Sequence, residues 1–146
     1  MPKVVAIMSM SLDGYIADSN DGVAEVFDWY FSGNVEVPTV RSNPTTADLT
    51  FHVSAPSAEH LRGLMAEVGA MLTGRRTFER ADGWGGQHPW DVPAFVVTHH
   101  LPDGWPRPGS TVHFVTDGIE EAVAQAESAA GSKSVGVHGA ETIHSA

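Results

Sequence analysis

Two scarcities in the composition limit what this 146-residue chain can be. It has no cysteine, which excludes disulfides and thiolate chemistry. Basic residues are few, since eight Lys and Arg stand against eighteen Asp and Glu and leave a formal net charge of -10. Such a chain is repelled by nucleic-acid phosphates and by anionic lipid surfaces, so we expect neither nucleic acid nor a membrane as a partner.

Long apolar runs are scarce as well. The N-terminal run from Val4 to Met8 is only five residues long, which is too short for a signal peptide or a membrane span. We therefore expect a cytoplasmic protein. The length fits one domain, residues 1–146, that can bury roughly two-thirds of its unfolded surface.

The stretch from Ala70 to Glu79 is the most informative part of the chain. A short apolar run ends at Gly74, two arginines and a threonine follow, and three of the six arginines lie within residues 75–80. Glycine permits a sharp turn, and a helix that begins there offers free amide groups to an anion. Arginine side chains match phosphate geometry, so the pattern predicts a small phosphate ligand. The alternative is that these arginines pair with Glu79, Asp82 or other surface acids.

The order of apolar runs predicts an α/β fold. Buried-type strands alternate with segments of helical periodicity, which is typical of a mainly parallel sheet between helices. The predicted strands are Val4–Met10, Ala70–Thr73, Ala94–Thr98, Val112–Thr116 and Val135–His138, with Leu49–Val53 as a further candidate.

Local signals place the helices and loops between these strands. Ser57 is the expected N-cap of one helix, and Asp117 with Glu120 resembles a capping box for another that Gly131 would close. A short helix is expected over residues 25–31. Residues 31–48 and 82–93 are predicted as loops, and the second carries Trp84 and Trp90, which either cover a ligand or simply pack on the surface.

Four motifs in order resemble the dihydrofolate reductase-like superfamily. They are similar above all to its branch with the C-terminal reductase domain of the bifunctional riboflavin biosynthesis deaminase/reductase. The motifs are Ser11–Ala17, Gly74–Glu79, Val96–His99 and Val137–Ile143, and together they span nearly the whole chain. The resemblance implies a three-layer fold and an NADPH-dependent reductase that acts on a pterin-like or ribosylamino-pyrimidine small molecule, as in riboflavin or folate chemistry.

The resemblance also assigns residues to the cofactor. The adenosine 2′-phosphate would lie against Arg75, Arg76 and Thr77 after the Gly74 turn. Thr98 and His99 would lie near the adenosine, and Ala6, Ile16 and Ala17 would frame the nicotinamide. The pyrophosphate would meet the turn and helix start formed by His138, Gly139, Ala140, Glu141 and Thr142.

On the substrate side the resemblance points to Asp13 and Gly14, in the loop that would close over nicotinamide and substrate. Asp13 is the candidate catalytic residue, because its carboxylate could orient an amino or hydroxyl group; a purely structural role in the turn is the alternative. Asp28 is a second candidate for substrate binding, and a solvated acid at a helix start is the alternative there.

Two departures from the family pattern affect these expectations. The family usually has two glycines where this chain has His138-Gly139, so a side chain stands at the predicted pyrophosphate turn. The family fold also continues with a longer helix and antiparallel strands that this sequence does not include. We expect the sheet to be completed by further chain or by self-association, and family members often form homodimers.

Two other functions remain open at the level of sequence. The chain could be a non-catalytic NADPH- or nucleotide-binding protein with an incomplete active site. A metal site is the third option, because there are eight histidines. The histidines lack the usual ligand spacing, and adjacent His99 and His100 would point to opposite faces of a strand, so we expect no metal.

Overall fold

The computed structural model describes residues 3–39 and 49–145. Seven strands and five helices are assigned in this part of the chain. In chain order they are β1 (Val4–Ala6), α1 (Ala24–Phe27), β2 (Val35–Pro38), β3 (Thr50–Val53), α2 (Ala55–Glu67), β4 (Val68–Gly74), α3 (Arg75–Arg80), β5 (Ala94–Val97), β6 (Val112–Val115), α4 (Ile119–Ala130), β7 (Ser134–His138) and α5 (Ala140–Ser145). Short 3₁₀ turns follow α1 and α3, at Asp28–Tyr30 and Asp82–Gly86.

The main sheet has five strands in the order β1-β7-β4-β5-β6, and all four pairings are parallel. Parallel neighbours need a crossover connection, and α2, α3 and α4 lie between successive strands of the chain as such connections require. The sheet lies between helices on both faces. The prediction of a three-layer α/β fold with a mainly parallel central sheet is therefore confirmed.

Alternating side chains of the central strands build two cores. On β4, Ala70 and Leu72 pack with the small residues Ala122 and Ala126 of α4 on one face. Met71, between them in sequence, packs on the opposite face. Successive strand residues point to opposite sides, so a strand covered on both faces must be apolar throughout, as β4 is.

Helix α2, the two-stranded sheet and the tryptophan-rich loop are among the elements that cover the second face. Leu61 of α2 and Phe51 of β3 pack there, and β3 pairs with β2 in a separate antiparallel two-stranded sheet. The tryptophan-rich loop packs on this face as well, since Trp90 is only 8% exposed and Trp84 packs against the same core. These tryptophans are part of the core, which goes beyond the surface packing considered from the sequence.

The expectation that Val4–Met10 forms a buried central strand is wrong for the described residues. The strand ends at Ala6, and it lies at one end of the sheet with β7 as its single neighbour in residues 3–39 and 49–145. Val4 is 41% exposed. The other edge of β1 pairs with no strand among the described residues.

Two predicted helix caps are also wrong. The N-cap of α2 is Ser54, whose side chain accepts a hydrogen bond from the Ser57 amide at 3.3 Å; a proline in the first turn allows this earlier start. The N-cap of α4 is Gly118, so Asp117 lies outside the capping position and the box does not form. Gly131 does end α4 with a left-handed φ of 63°, as predicted.

The loop prediction for residues 31–48 missed strand β2, and residues 40–48 of that loop lie outside the described part. The other strand predictions are confirmed to within one or two residues at each end. A search of the described helices for one long and apolar enough to cross a bilayer finds none.

Candidate functional site

Two glycine turns meet at the carboxyl ends of neighbouring strands. Thr73 of β4 pairs with His138 of β7, and its hydroxyl donates a hydrogen bond to the His138 carbonyl at 3.2 Å. Gly74 and Gly139 follow directly. A β-carbon at Gly74 would lie 2.7 Å from the hydroxyl oxygen of Thr142, so the absence of a side chain at Gly74 lets α5 begin beside the start of α3.

The Gly139 turn has the conformation that only glycine adopts readily. Its φ is +96°, and a β-carbon there would lie 3.0 Å from the hydroxyl oxygen of Thr77. The Gly139 amide contacts the sulfur of Met8 at 3.0 Å, which ties the turn to the segment after β1. The structure therefore brings together two of the four motif regions, the Gly74 turn and the Gly139 turn, and Met8, which precedes the Ser11–Ala17 motif, contacts the second of them.

The arginines at the start of α3 each hold a carboxylate. Arg75 donates to Glu79 at 2.6 Å and to the His100 carbonyl at 3.3 Å. Arg76 forms an ion pair with Asp21, and this hydrogen bond is the main reason that the pKa of Asp21 is lowered and that of Arg76 raised. Pairing with acids, the alternative for these arginines, is thus what the structure contains, although Asp82 is not one of the partners.

Thr98 and His99 lie at the end of β5, next to the arginine pair. Thr98 is 7% exposed, and its hydroxyl donates to the His100 carbonyl at 2.8 Å. The same carbonyl accepts from Arg75, so the end of β5 and the start of α3 are linked through one oxygen atom. His99 is exposed.

His138 directs its ring away from the turn and into an aromatic cluster. The ring lies 6.0 Å from that of His88 and 6.3 Å from that of Trp90, both nearly perpendicular to it. Its Nε2 atom is buried and has no hydrogen-bond partner among the described residues. Burial lowers the pKa of His138 to about 4, and burial together with the neighbouring His138 lowers the pKa of His88 to about 3. Both rings are neutral at pH 7.

The candidate substrate loop is a compact turn. Ser11 donates its hydroxyl to the Asp13 carboxylate at 2.7 Å, and the Gly14 amide donates to the Ser11 carbonyl at 3.0 Å. Gly14 has a φ of +94°, so glycine is required there. Asp13 is exposed, and within residues 3–39 and 49–145 no hydrogen bond joins it to Asp28, which is exposed at the start of a 3₁₀ turn.

Of the candidate nicotinamide residues, Ala6 is the last residue of β1. Ala6 is exposed at the open side of the sheet and lines a groove of about 220 Å³ with Val4, Val137 and Ile143. Ile16 and Ala17 are half-buried. The groove is mainly apolar, because all four lining residues are aliphatic.

A larger cleft of about 360 Å³ lies on the other side of α3. Arg75 and Glu79 form one wall, and Asp103, Trp105 and Arg107 form the other, with Arg107 stacked 4.2 Å over the Trp105 ring. The cleft contains charges of both signs. It adjoins the candidate phosphate site only through Arg75, and Arg76 is held on a different side by Asp21.

Sequence reasoning missed two residues at the site. Asp21 is one of many acids in the chain, and nothing local connects it with an arginine 55 positions later. His88 sits in a Trp- and Gly-rich loop, and only its position beside His138 gives it interest. The described residues contain no group of three or more His, Asp or Glu side chains that could hold a metal ion.

Comparisons with known proteins add a fold relative. No protein-family model matches the chain, and no curated protein matches it either. Among solved structures, it is similar to a "putative riboflavin biosynthesis protein" from Shewanella sp. PV-4, with a TM-score of 0.57 and 24% identity. The match covers 98% of this chain and 67% of that one. At this identity the likeness shows a shared fold, and this chain spans about two-thirds of that protein.

Proposed function

We propose that this chain is an NADPH-dependent reductase that acts on a pterin-like or ribosylamino-pyrimidine small molecule. The observation that carries the proposal is the meeting of the Gly74 and Gly139 turns beside a pair of arginines, at the carboxyl edge of a parallel sheet. Ligands of open α/β sheets bind at that edge. The fold shared with a riboflavin biosynthesis protein is consistent with this reading.

The residues present fit a phosphorylated dinucleotide. Gly139 has no side chain to obstruct a pyrophosphate, and its left-handed turn directs the start of α5 toward the same edge as the start of α3. Arg76 keeps 74% of its side chain exposed, so a phosphate can reach its guanidinium from solvent. Under the proposal Arg75, Arg76 and Thr77 hold the 2′-phosphate, and Gly139 to Thr142 hold the pyrophosphate.

The nicotinamide cofactor would supply hydride when bound, and the chain's own residues would position the partners. Ala6, Ile16 and Ala17 would enclose the nicotinamide on the β1 side. Asp13, oriented by the hydroxyl of Ser11, would accept a hydrogen bond from an amino or hydroxyl group of the substrate. Thr98 and His99 would lie beside the adenosine.

Calorimetric titration with NADPH and NADH tests the cofactor assignment. NADPH should bind more tightly, and Arg76→Ala should weaken NADPH binding by roughly 10–150-fold, since losing one charge-assisted hydrogen bond costs about 1.5–3 kcal/mol. NADH binding should change little. Arg62→Ala is the matched control, because Arg62 contacts the Glu36 carbonyl on the surface of α2.

A second measurement separates a reductase from a binding protein. NADPH oxidation is followed at saturating cofactor against a panel of pterins and ribosylamino-pyrimidines, with Asp13→Asn as the variant. Turnover that Asp13→Asn lowers supports the proposal. Tight NADPH binding without turnover on any member of the panel favours the non-catalytic nucleotide-binding alternative, and equal loss of NADPH and NADH affinity in Arg76→Ala contradicts the phosphate assignment.

A further inference from the structure

The guanidinium that the proposed function assigns to a phosphate already binds an anion from the chain itself. Arg76 donates to the carboxylate of Asp21, and the two residues are 55 positions apart, so the contact is a tertiary one. Both side chains keep solvent access, with 74% of Arg76 and 47% of Asp21 exposed. The pair therefore sits where a dissolved ligand can reach it.

The segment that presents Asp21 is a well-defined turn, residues 18–22. The Asp18 carboxylate accepts hydrogen bonds at 2.7 Å from the amides of both Asn20 and Gly22, and the Asp18 amide donates to the Gly22 carbonyl at 2.9 Å. Asp21 itself has a φ of +60°, a conformation that aspartate adopts more readily than most residues. The turn thus places the Asp21 backbone where its side chain reaches Arg76.

A second arginine holds the same turn against α3. Arg80 donates to the Asn20 carbonyl at 2.7 Å. Arg76 and Arg80 are four residues apart, so they lie on one face of the helix and form hydrogen bonds to adjacent residues of the turn. Arg80 donates to a backbone oxygen, so its hydrogen bond does not depend on the charge of Asp21.

We propose that Asp21 is a specificity-determining residue that competes with the cofactor's 2′-phosphate for Arg76, and this inference rests on the proposed function. A phosphate monoester carries nearly two negative charges and three acceptor oxygens, so it replaces a carboxylate that makes one contact. A 2′-hydroxyl has no such advantage and leaves Asp21 in place. Binding of the phosphate displaces the Asp21 carboxylate from Arg76, because two anions on one exposed guanidinium repel each other.

The consequence is that the contact between the 18–22 turn and Arg76 breaks when NADPH binds and stays when NADH binds. The 18–22 turn follows directly on the segment that carries Ile16 and Ala17, which the proposed function places at the nicotinamide. Release of Asp21 from Arg76 therefore removes one of the two contacts described above between this turn and α3, while the Arg80 contact remains. NADH binds without this change.

Calorimetric titration of the wild type, Asp21→Asn, Arg76→Ala and the double variant tests the inference with NADPH, NADH, adenosine 2′-monophosphate and adenosine 5′-monophosphate. Asp21→Asn removes the competing charge and keeps the shape. It should tighten binding of NADPH and adenosine 2′-monophosphate by about two- to fivefold, the range expected for an exposed ion pair. NADH and adenosine 5′-monophosphate should bind as before, and Glu25→Gln, which removes another exposed acid of the same region, should have no effect.

The outcomes separate this inference from the proposed function. If the wild type prefers NADPH and Asp21→Asn does not tighten it, the competition is refuted and the proposed function stands. If only Asp21→Asn prefers NADPH, Asp21 blocks the site more strongly than proposed and the inference holds. If neither protein prefers NADPH, both fail. An effect of Asp21→Asn that persists unchanged in the Arg76→Ala background also overturns the inference, because the competition acts through Arg76.

Discussion

Acidification should destabilise this protein at pH values above those at which carboxylates titrate, because two buried histidines stay unprotonated in the folded state. His88 is 4% exposed, and Trp90 donates its backbone amide to His88 Nδ1 at 3.2 Å, a bond that needs the neutral ring. The His138 ring lies against it, with a buried Nε2. Burial holds the pKa of His88 at about 3 and that of His138 at about 4.

The sign and size of the effect follow from proton linkage. The ordinary pKa of histidine is 6.5, so below that pH the unfolded chain takes up protons that the folded chain does not. The free energy of unfolding therefore falls as the pH falls from 6.5 toward the folded pKa values. Each pH unit costs about 1.4 kcal/mol per histidine, so the loss by pH 5 is about 2 kcal/mol for one ring and about 4 kcal/mol for both. Total stabilities are commonly about 5–15 kcal/mol, so this loss is large.

Urea denaturation followed by far-ultraviolet circular dichroism at pH 7, 6 and 5 measures this loss. The wild type should lose about 4 kcal/mol, and His138→Gln, which removes one of the two titrations, should lose about half as much between the same pH values. His60→Gln is the control, since it replaces an exposed histidine on α2, outside the buried pair. Comparing slopes with pH cancels whatever the substitution costs at pH 7. The reasoning is refuted if the wild type is equally stable at pH 7 and 5, or if His138→Gln keeps the full slope.

Two further predictions concern the turn and the open sheet edge. Gly139→Ala should lower the free energy of unfolding by about 1–3 kcal/mol, because φ is +96° and the Thr77 hydroxyl lies 3.0 Å from the new carbon. Gly63→Ala is the control and should be neutral or stabilising, since Gly63 has open space around it in α2. Equal urea midpoints for the two variants would contradict the predicted strain at Gly139. The edge of β1 that pairs with no described strand should pair with a second copy of the chain, so light scattering should give twice the 15.5 kDa mass. Val4→Lys should shift the protein toward monomer. A wild type that stays monomeric at all concentrations contradicts this prediction.

Four strands of the main sheet, β4 to β7, could be predicted from the sequence because a strand buried on both faces must be apolar throughout. The run from Ala70 to Thr73 is such a segment, and it became the centre of the sheet. Glycine turns are equally local, since Gly74 and Gly139 end their strands for conformational reasons that the sequence carries. The three-layer α/β fold and the position of both turns were therefore fixed by short-range information.

The caps and the first strand could not be predicted because they depend on competition between neighbours. Ser54 and Ser57 both suit an N-cap, and in the structure Ser54 takes this position, with a proline in the first turn of α2. Val4 is apolar in the same way as the central strands, but its exposure depends on whether another strand reaches it, and that is a property of the whole sheet.

Only the tertiary structure decided what the candidate site residues contact. The sequence placed Arg76 after a turn and suggested an anion, but the partner that it holds is Asp21, brought there by a turn far away in the chain. The family resemblance likewise assigned His138 to the pyrophosphate turn, whereas packing directs its ring to His88 and Trp90. The physical reason is the same in both cases: backbone conformation is set by near neighbours, while the partner of a charge or a ring is set by which distant segments the fold brings within a few ångströms.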